Sequence, residues 1–394
     1  MRVLFLSSIY PRAYDPTRGI YSQRLCTQLA AKHEVRVISP VSWVERLYNQ
    51  NPYDASIAAS VGIVAYPWYF YPPKLMQSRH GLFMWASIRG MLRRSISEFR
   101  PDCVLSYWAH PDGEVATRVA RLAGARVGIM VGGSDILLLT RNRRRRRAIV
   151  NTLGAADAVF AVGQDLKSKV IQLGIDPSKT HVFDRGVDPQ FAPGDRRLAR
   201  TRRGLPLERN ILLWVGRMAP VKGLEVLLQA CASLRSRQFD FEVVLIGDGP
   251  LRKPLEASCH RLGLSERVRF TGALPHGSLP DWYRAADLTV LPSYSEGNPN
   301  VLRESLACGT PYVASRVGGV PEISDDPCNQ LVPAGDSAQL AEAIENMLSR
   351  QPRLAPRLER TPSRENPEDL LRILRPDFYV DHGCPESMDA TQTR

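Results

Sequence analysis

The sequence predicts an α/β protein made of two doubly wound domains in tandem, on three observations. Short apolar runs recur along the chain, each followed by a segment of helical period. The runs are rich in β-branched residues and do not alternate with polar ones, as strands buried on both faces of a parallel sheet should not. Finally, 394 residues, 44% of them apolar, are too many for one core and suit two domains of roughly 150–200 residues.

Taken in order, the runs of the first half are Arg2–Ser8, Val35–Ser39, Val61–Tyr66, Cys103–Trp108, Val127–Val131 and Ala158–Val162. Those of the second are Ile211–Val215, Phe241–Ile246, Val268–Phe270, Leu288–Leu291 and Tyr312–Ala314. Strand and helix alternate throughout, which argues for parallel sheets wound on both sides. The stretch around 190–210 is polar, bears Pro and Gly and has no strong period. The expected division is therefore an N-terminal domain over 1–190, a linker over 191–209, a C-terminal domain over 210–350, and an irregular tail over 351–394 with one candidate helix near Pro367–Leu374. Two such domains bring the C-terminal ends of both sheets to a shared cleft, where ligands of doubly wound folds bind.

Composition excludes several classes. No window holds the roughly 18 apolar residues of a membrane-spanning helix, and the opening MRVLFLSSIYPR is too short for the apolar region of a signal peptide. Seven cysteines, an odd number with no C-x-x-C spacing, read as reduced thiols in a cytosol. No Cys or His pair has the spacing of a zinc site, so no metal is expected.

Charge is divided unevenly. Residues 1–200 hold 29 Lys and Arg against 15 Asp and Glu, a balance of +14, whereas residues 201–394 hold 23 against 25, or −2. A basic half suits an anionic partner: a membrane leaflet, a nucleic acid or a phosphorylated acceptor. Two segments carry much of it. Residues 66–94 (YPWYFYPPKLMQSRHGLFMWASIRGMLRR) mix aromatics with cations, with Phe83, Met84, Ile88, Met91 and Leu92 available to one helical face for an anionic membrane surface or for the sheet. Residues 141–147 (RNRRRRR) suit an anionic-lipid patch, an RNA-binding stretch or a solvated helix face; they lack the interleaved aromatics of a single-strand platform, so nucleic acid is not the expected ligand and peripheral membrane contact is.

The densest chemistry lies in residues 292–323, PSYSEGNPNVLRESLACGTPYVASRVGGVPEI. Asn298 and Pro299 read as the N-cap and first residue of a helix reaching about Ala307, whose first amides, at Asn300 and Val301, are placed to hold phosphate oxygens. Glu296 precedes this helix and Glu304 lies within it, so the two carboxylates suit different parts of one elongated ligand. A nucleoside diphosphate-sugar fits: phosphates on the amides, ribose on Glu304, hexose on Glu296. Upstream, NILLWVGRMAPVKG (210–223) is a strand ending at Gly216 and Arg217, followed by a loop bearing Lys222. A planar guanidinium and an ammonium together suit a departing diphosphate.

The succession GR…KG, FTG (270–272), the E-x7-E of Glu296 and Glu304, ACGTPYVAS and VGGVPE resembles the family-4 retaining glycosyltransferases, which have the GT-B fold of two Rossmann-like domains facing a central cleft. In the N-terminal half the resemblance continues through the Gly19 loop, YWAHPDG (107–113), VGGSDI (131–136) and RGVD (185–188), and it covers about residues 1–350. It implies that Arg217 and Lys222 hold and neutralise the donor diphosphate, that Glu304 holds the ribose and Glu296 the donor sugar, and that Gly297 to Val301 supply amides. It also implies a nucleobase near Gly272 and Ala273, a close approach of the diphosphate to Gly19, His110 in contact with the transferred sugar, and Asp135 and Arg185 on the acceptor side. Arg18 stands where the family often has a second glycine, and Arg185 where it more often has Asn.

The function so implied is retaining, metal-independent transfer of a hexose-type sugar from a nucleoside diphosphate-sugar to a saccharide or lipid-linked acceptor in surface glycan biosynthesis. No cofactor is expected. The location expected is the cytoplasm, peripherally at the inner face of the membrane. Two alternatives stay open: a non-catalytic module binding a nucleotide sugar, glycan or membrane, and a sugar-nucleotide epimerase.

Overall fold

A computed structural model of the chain describes residues 1–49, 51–59, 61–323, 326–349 and 366–381. Every apolar run expected as a strand is one. Numbered along the chain, the strands of the first half are β1 (Arg2–Leu6), β2 (Glu34–Ile38), β3 (Val41–Ser42), β4 (Ile63–Ala65), β5 (Trp68–Tyr69), β6 (Cys103–Tyr107), β7 (Arg126–Val131), β8 (Ala158–Ala161) and β9 (Thr180–Val182). Those of the second are β10 (Asn210–Val215), β11 (Phe241–Ile246), β12 (Val268–Gly272), β13 (Leu288–Leu291), β14 (Tyr312–Ser315) and β15 (Gln330–Val332). The sequence reading missed β9 and β15, three-residue edge strands with polar members, and the two-residue pair β3 and β5.

Among the described residues, 1–161, 170–183 and 366–381 form one unit, and 162–169 and 184–349 form another. The first holds a parallel sheet in the order β4-β2-β1-β6-β7-β8-β9. The second holds a parallel sheet in the order β12-β11-β10-β13-β14-β15. In each, the chain winds outward from a central strand to one edge and then returns to that strand's other side. The reversal lies between β1 and β6 in the first sheet and between β10 and β13 in the second. At such a reversal the helices leave on opposite faces, opening a crevice beyond the strands' C-terminal ends.

The cores follow the strand patterns. Val3, Phe5, Val35, Val37, Cys103 and Leu105 are buried in the first unit, and Leu212, Trp214, Val243, Leu245, Leu288 and Val290 in the second. Both faces of the central strands are covered, which explains why their sequences are continuous apolar runs.

Two expectations about organisation are corrected. The stretch 191–209 is part of the second unit: it carries the helix Arg196–Arg203, capped by Asp195 through the Leu198 amide at 2.9 Å. This helix is tied down by Arg200, 3% exposed, whose Nη2 lies 2.6 Å from Asp287 Oδ2. The sequence reads as a linker because this helix is anchored by a buried arginine rather than by an apolar stripe. The N-terminal boundary at 190 also moves, since residues from Asp184 onward belong to the second unit.

In the tail, the candidate helix is present. Within the described residues 366–381, helix Pro367–Leu374 starts on an Asn366 cap and places Leu370, Leu371 and Leu374 in the core of the first unit with Val3 and Phe5. Its Glu368 meets His33 at 3.1 Å. Three buried leucines stabilise the unit by roughly 1.5–3 kcal/mol each. A second short helix, Pro376–Asp381, follows, and the tail reading for 351–365 and 382–394 lies outside the described residues.

The amphipathic segment also resolves in favour of the core. In helix His80–Phe99 the residues Met84, Ile88 and Leu92 are buried, packed within the first unit against helix Glu114–Ala123 and the turn after β6, so that face is not available to a membrane. Among the described residues, no helix is long and apolar enough to cross a membrane.

Candidate active site

In the second unit, the two loops that flank the reversal carry the cations and the first carboxylate. The loop after β10 holds Gly216, Arg217 and Lys222, and the loop after β13 holds Glu296 to Asn298. Backbone contact brings them together. Tyr294 N donates to Val221 O at 2.8 Å, and Gly223, at φ +62°, approaches so closely that a Cβ there would stand 2.0 Å from Pro292 O. Only glycine combines that dihedral with that approach.

Across this junction Lys222 Nζ lies 2.7 Å from Glu296 Oε1, with Glu296 only 8% exposed. Arg217 is exposed and has no hydrogen-bond or ionic partner among the described residues. Glu296 is held from behind by the VGGVPE segment. Gly319 N donates to Gly297 O at 3.0 Å, and a Cβ on Gly318, at φ +52°, would fall 1.8 Å from Glu296 O. The paired glycines let one backbone lie directly on another.

The helix after Glu296 begins one residue later than expected. It runs Asn300–Ala307 with Pro299 as its N-cap, and no side chain caps it. Asn298 is instead a lateral tie, its Nδ2 donating to Val162 O at 2.6 Å. The amides of Asn300 and Val301 sit at the open helix N-terminus, as anticipated, because the first turn has no preceding carbonyls to accept from them. Gly216 and Gly272 lie either side of β11: Gly216 N donates to Ile246 O and Gly247 N to Gly272 O, each at 2.9 Å. Ala273 is exposed just past β12.

Glu304 is 4% exposed and bound on both oxygens. His276 Nε2 is 2.9 Å from Oε1, and Tyr283 Oη donates to Oε2 at 2.9 Å. Sequence reasoning missed both partners, which lie 28 and 21 residues before Glu304, on another helix and its preceding turn. No local spacing signals such a contact. Arg185 is buried in the second unit rather than the first. Its neighbour Asp184 pairs with Arg303 at 2.5 Å and accepts from Gly186 N at 3.0 Å, which fixes the segment beside helix Asn300–Ala307.

In the first unit, Gly19 follows β1, His110 follows β6 and Asp135 follows β7. Gly19 opens helix Ile20–Ala30, and its α-carbon rests on the Ile9 carbonyl, where a Cβ would be 2.4 Å from Ile9 O. Arg18 donates to Glu45 at 2.8 Å, and the fully buried Arg12 pairs with the same oxygen, so this loop is stapled by charge.

His110 is fully buried on the turn after β6, entered through Trp108 at φ +97°, a region a bulky side chain rarely adopts. Its Nε2 is 3.5 Å from Glu114 Oε2, long for a hydrogen bond, and Nδ1 has no partner among the described residues. A buried ring nitrogen without a protein partner has capacity for a ligand. Burial raises the Glu114 carboxyl, but the neighbouring His110 and Arg118 outweigh it and hold the group below its usual range.

Asp135 is fully buried and faces backbone. Oδ1 accepts from Gly132 N at 3.1 Å and Gly133 N at 2.9 Å, and Oδ2 accepts from Ala109 N at 3.2 Å. Burial pushes its carboxyl up against the lowering effect of these amides. It thus fixes the turn that carries His110. Sequence reasoning passed over Asp112, although it stands within YWAHPDG. It is fully buried, accepts from Ser8 N at 2.9 Å and Ser8 Oγ at 2.8 Å, and burial pushes it up to about 6. It ties the loop after β1 to the turn after β6.

No three His, Cys, Asp or Glu residues among those described are grouped to hold a metal ion. In the second unit, then, Arg217 and Lys222 stand on the loop after β10, and Glu296 and the uncapped helix Asn300–Ala307 follow β13.

Residues 19–191 match the model of Glycosyltransferase Family 4, and residues 209–350 match that of Glycosyl transferases group 1. The chain is 40% identical over 213 residues to D-inositol 3-phosphate glycosyltransferase 2 of Catenulispora acidiphila, covering 51% of this chain and 50% of that protein. The chain therefore spans about half the length of that relative. It is 28% identical over 360 residues to the putative teichuronic acid biosynthesis glycosyltransferase TuaC of Bacillus subtilis, covering 87% and 88%. The solved structure of Anabaena HepE in complex with UDP and glucose superposes with a TM-score of 0.71 at 19% identity, over 97% of this chain and 99% of that one, and shares the GT-B fold. With both halves matched in order, the chain belongs to the family-4, group 1 glycosyltransferases.

Proposed function

We propose that this glycosyltransferase moves a hexose-type sugar from a nucleoside diphosphate-sugar to a saccharide or lipid-linked acceptor in surface glycan biosynthesis, with retention and without a metal. The observation that carries the reading is the Lys222–Glu296 pair at the reversal of the second sheet, with Arg217, which has no partner among the described residues, on the same loop as Lys222 and an uncapped helix after Glu296. A diphosphate is a stronger partner for Lys222 than one carboxylate. Its arrival turns Lys222 and Arg217 onto phosphate oxygens and releases Glu296 to accept from sugar hydroxyls. Charge that builds on the leaving diphosphate is then met by fixed cations and helix amides, and such preorganised electrostatic stabilisation is commonly the main source of rate acceleration in an enzyme.

In this reading the acceptor hydroxyl attacks from the face the diphosphate leaves, and a donor phosphate oxygen takes its proton. The C–O bond to the leaving phosphate breaks as the new glycosidic bond forms. No protein nucleophile is needed. His110 contacts the transferred sugar, Asp135 acts by holding the turn that carries it, and Arg185 serves the acceptor side. The HepE complex with UDP and glucose and the name of TuaC favour a UDP-sugar donor and a glycan product.

The finer placement proposed is cytoplasmic, peripheral on an anionic membrane. Trp68, Phe70, Leu75 and Met76 are exposed, and the arginine run of helix Arg143–Gly154 adjoins them through Arg145 and Gln77 at 3.4 Å. Cations in a first helical turn oppose the helix dipole, a cost that anionic headgroups offset. Buried free cysteines at positions 26, 103, 231, 259 and 308 favour a reducing compartment.

A thermal-shift screen against UDP-, GDP- and ADP-sugars tests the donor. Ligand at a hundred times its dissociation constant adds about 2.7 kcal/mol of stability. One nucleotide class is expected to raise the melting temperature; no shift with any of them in cooperatively melting protein contradicts the reading.

A further inference from the structure

We propose that His276 and Tyr283 are positioning residues that fix the Glu304 carboxylate for a ribose diol, so that the site takes ribonucleoside diphosphates in preference to their deoxy counterparts. This rests on the reading of Glu304 as a nucleotide ligand and adds how that ligand is held.

A glutamate on a helix has three free side-chain torsions, and fixing them on binding costs free energy. Here the fixing is done beforehand. His276 Nε2 and Tyr283 Oη each stand 2.9 Å from a different oxygen of Glu304. A carboxylate accepts and does not donate, so the imidazole proton facing it is on Nε2. At the other ring nitrogen, Gln190 Nε2 stands 3.4 Å from Nδ1. Phe191 lies against both partners, its ring centroid 4.9 Å from that of His276 and 5.8 Å from that of Tyr283. The Tyr283 backbone carbonyl is held in turn by Thr310 Oγ1 at 2.6 Å.

Glu304 thus has a clamp on each oxygen, and the clamp is itself clamped. Hydrogen bonds to charged groups are worth more than neutral ones, and a pre-set carboxylate returns that difference to the ligand hydroxyl. An ionised carboxylate has about four acceptor positions, so two protein donors are compatible with ligand hydroxyls as well. A diol that meets both oxygens gains from the fixed geometry; a deoxyribose, short of one hydroxyl, does not.

Calorimetric titration of the full chain tests this with UDP, GDP and ADP and the 2′-deoxy and 3′-deoxy forms of whichever binds best. The readout is the ratio of ribo to deoxy affinity, measured for the native protein, Tyr283→Phe, His276→Phe and His276→Gln. The native protein is expected to prefer the ribonucleotide by about tenfold or more, with most of that preference lost in Tyr283→Phe and His276→Phe and partly kept in His276→Gln, which retains a donor. A merely structural role would lower stability and all affinities together and leave the ratio alone. An unchanged ratio in variants that melt cooperatively overturns the proposal, as does a native protein that binds both forms equally. Failure of the native protein to bind any nucleoside diphosphate overturns the donor-site reading itself, and this inference with it.

Discussion

Lys222 and Glu296, 74 residues apart, meet at 2.7 Å across the reversal of the second sheet. The pair joins the loop after β10 to the loop after β13, the two segments that topology alone brings to the mouth of the crevice. Glu296 is the more buried partner, its side chain 9% exposed against 23% for Lys222, so the carboxylate depends on the ammonium for its stability.

Lys222→Met leaves the Glu296 charge buried and uncompensated. A loss of roughly 1–3 kcal/mol in stability is expected, together with a fall in transfer rate of at least about a hundredfold. Adding Glu296→Gln removes the stranded charge, so the double variant should regain stability while staying inactive. Chemical denaturation and a nucleotide-release assay on the three proteins separate the two effects.

Arg217 makes no interaction in the described structure, so Arg217→Ala should change stability by no more than about 0.5 kcal/mol. Donor affinity should nevertheless fall by about tenfold or more, since the lost partner is a phosphate dianion. Melting curves alongside donor titration check both halves of this expectation.

Gly318→Ala places a Cβ 1.8 Å from the Glu296 carbonyl in a left-handed backbone conformation. A destabilisation of about 1–3 kcal/mol follows from strain alone. Because the displaced atom belongs to Glu296, donor affinity should fall as well, whereas an alanine at Gly154, with open space around it, should leave affinity unchanged. Parallel denaturation and binding curves for the two variants decide the point.

Asp112 gives a pH signature. Folded, it keeps its proton to about pH 6; unfolded, it releases it near 3.8. Between those values the native state holds a proton that the unfolded state has lost, so this residue's contribution to stability declines as pH rises and is constant above about 6. The full decline amounts to roughly 3 kcal/mol. The stability of Asp112→Asn relative to the native protein should therefore climb from pH 4 to 6 and then level, as read from denaturation curves at fixed pH. A difference independent of pH would refute the assignment.

How much of this is written in the sequence depends on the range of the interaction. β1, β6, β10 and β11 are legible because strands buried on both faces must be continuous apolar runs, whereas β9 and β15, at the edges, carry Thr, His and Gln and show no such run. Glu296 and Lys222 are legible because loops after adjacent central strands are brought together by topology. His276 and Tyr283 are not, because their contact with Glu304 depends on how helix Leu279–Ala285 packs against helix Asn300–Ala307. Asn298 reads as a cap because Asn before Pro is the usual cap signal; in the fold its amide bonds instead to a carbonyl 136 residues away. Arg200 hides a helix for the opposite reason, being a charged residue that is buried only because Asp287 meets it.

Whether the second unit's cation and carboxylate cluster drives sugar transfer is tested most directly by acceptor-dependent release of nucleoside diphosphate. Native protein and Lys222→Ala are incubated with UDP-, GDP- or ADP-sugars and a membrane lipid extract. Release by the native protein with one nucleotide class, dependent on the extract and abolished in a folded Lys222→Ala variant, is the expected result. Equal release by both proteins, or none by a native protein that binds the nucleotide sugar, would contradict it.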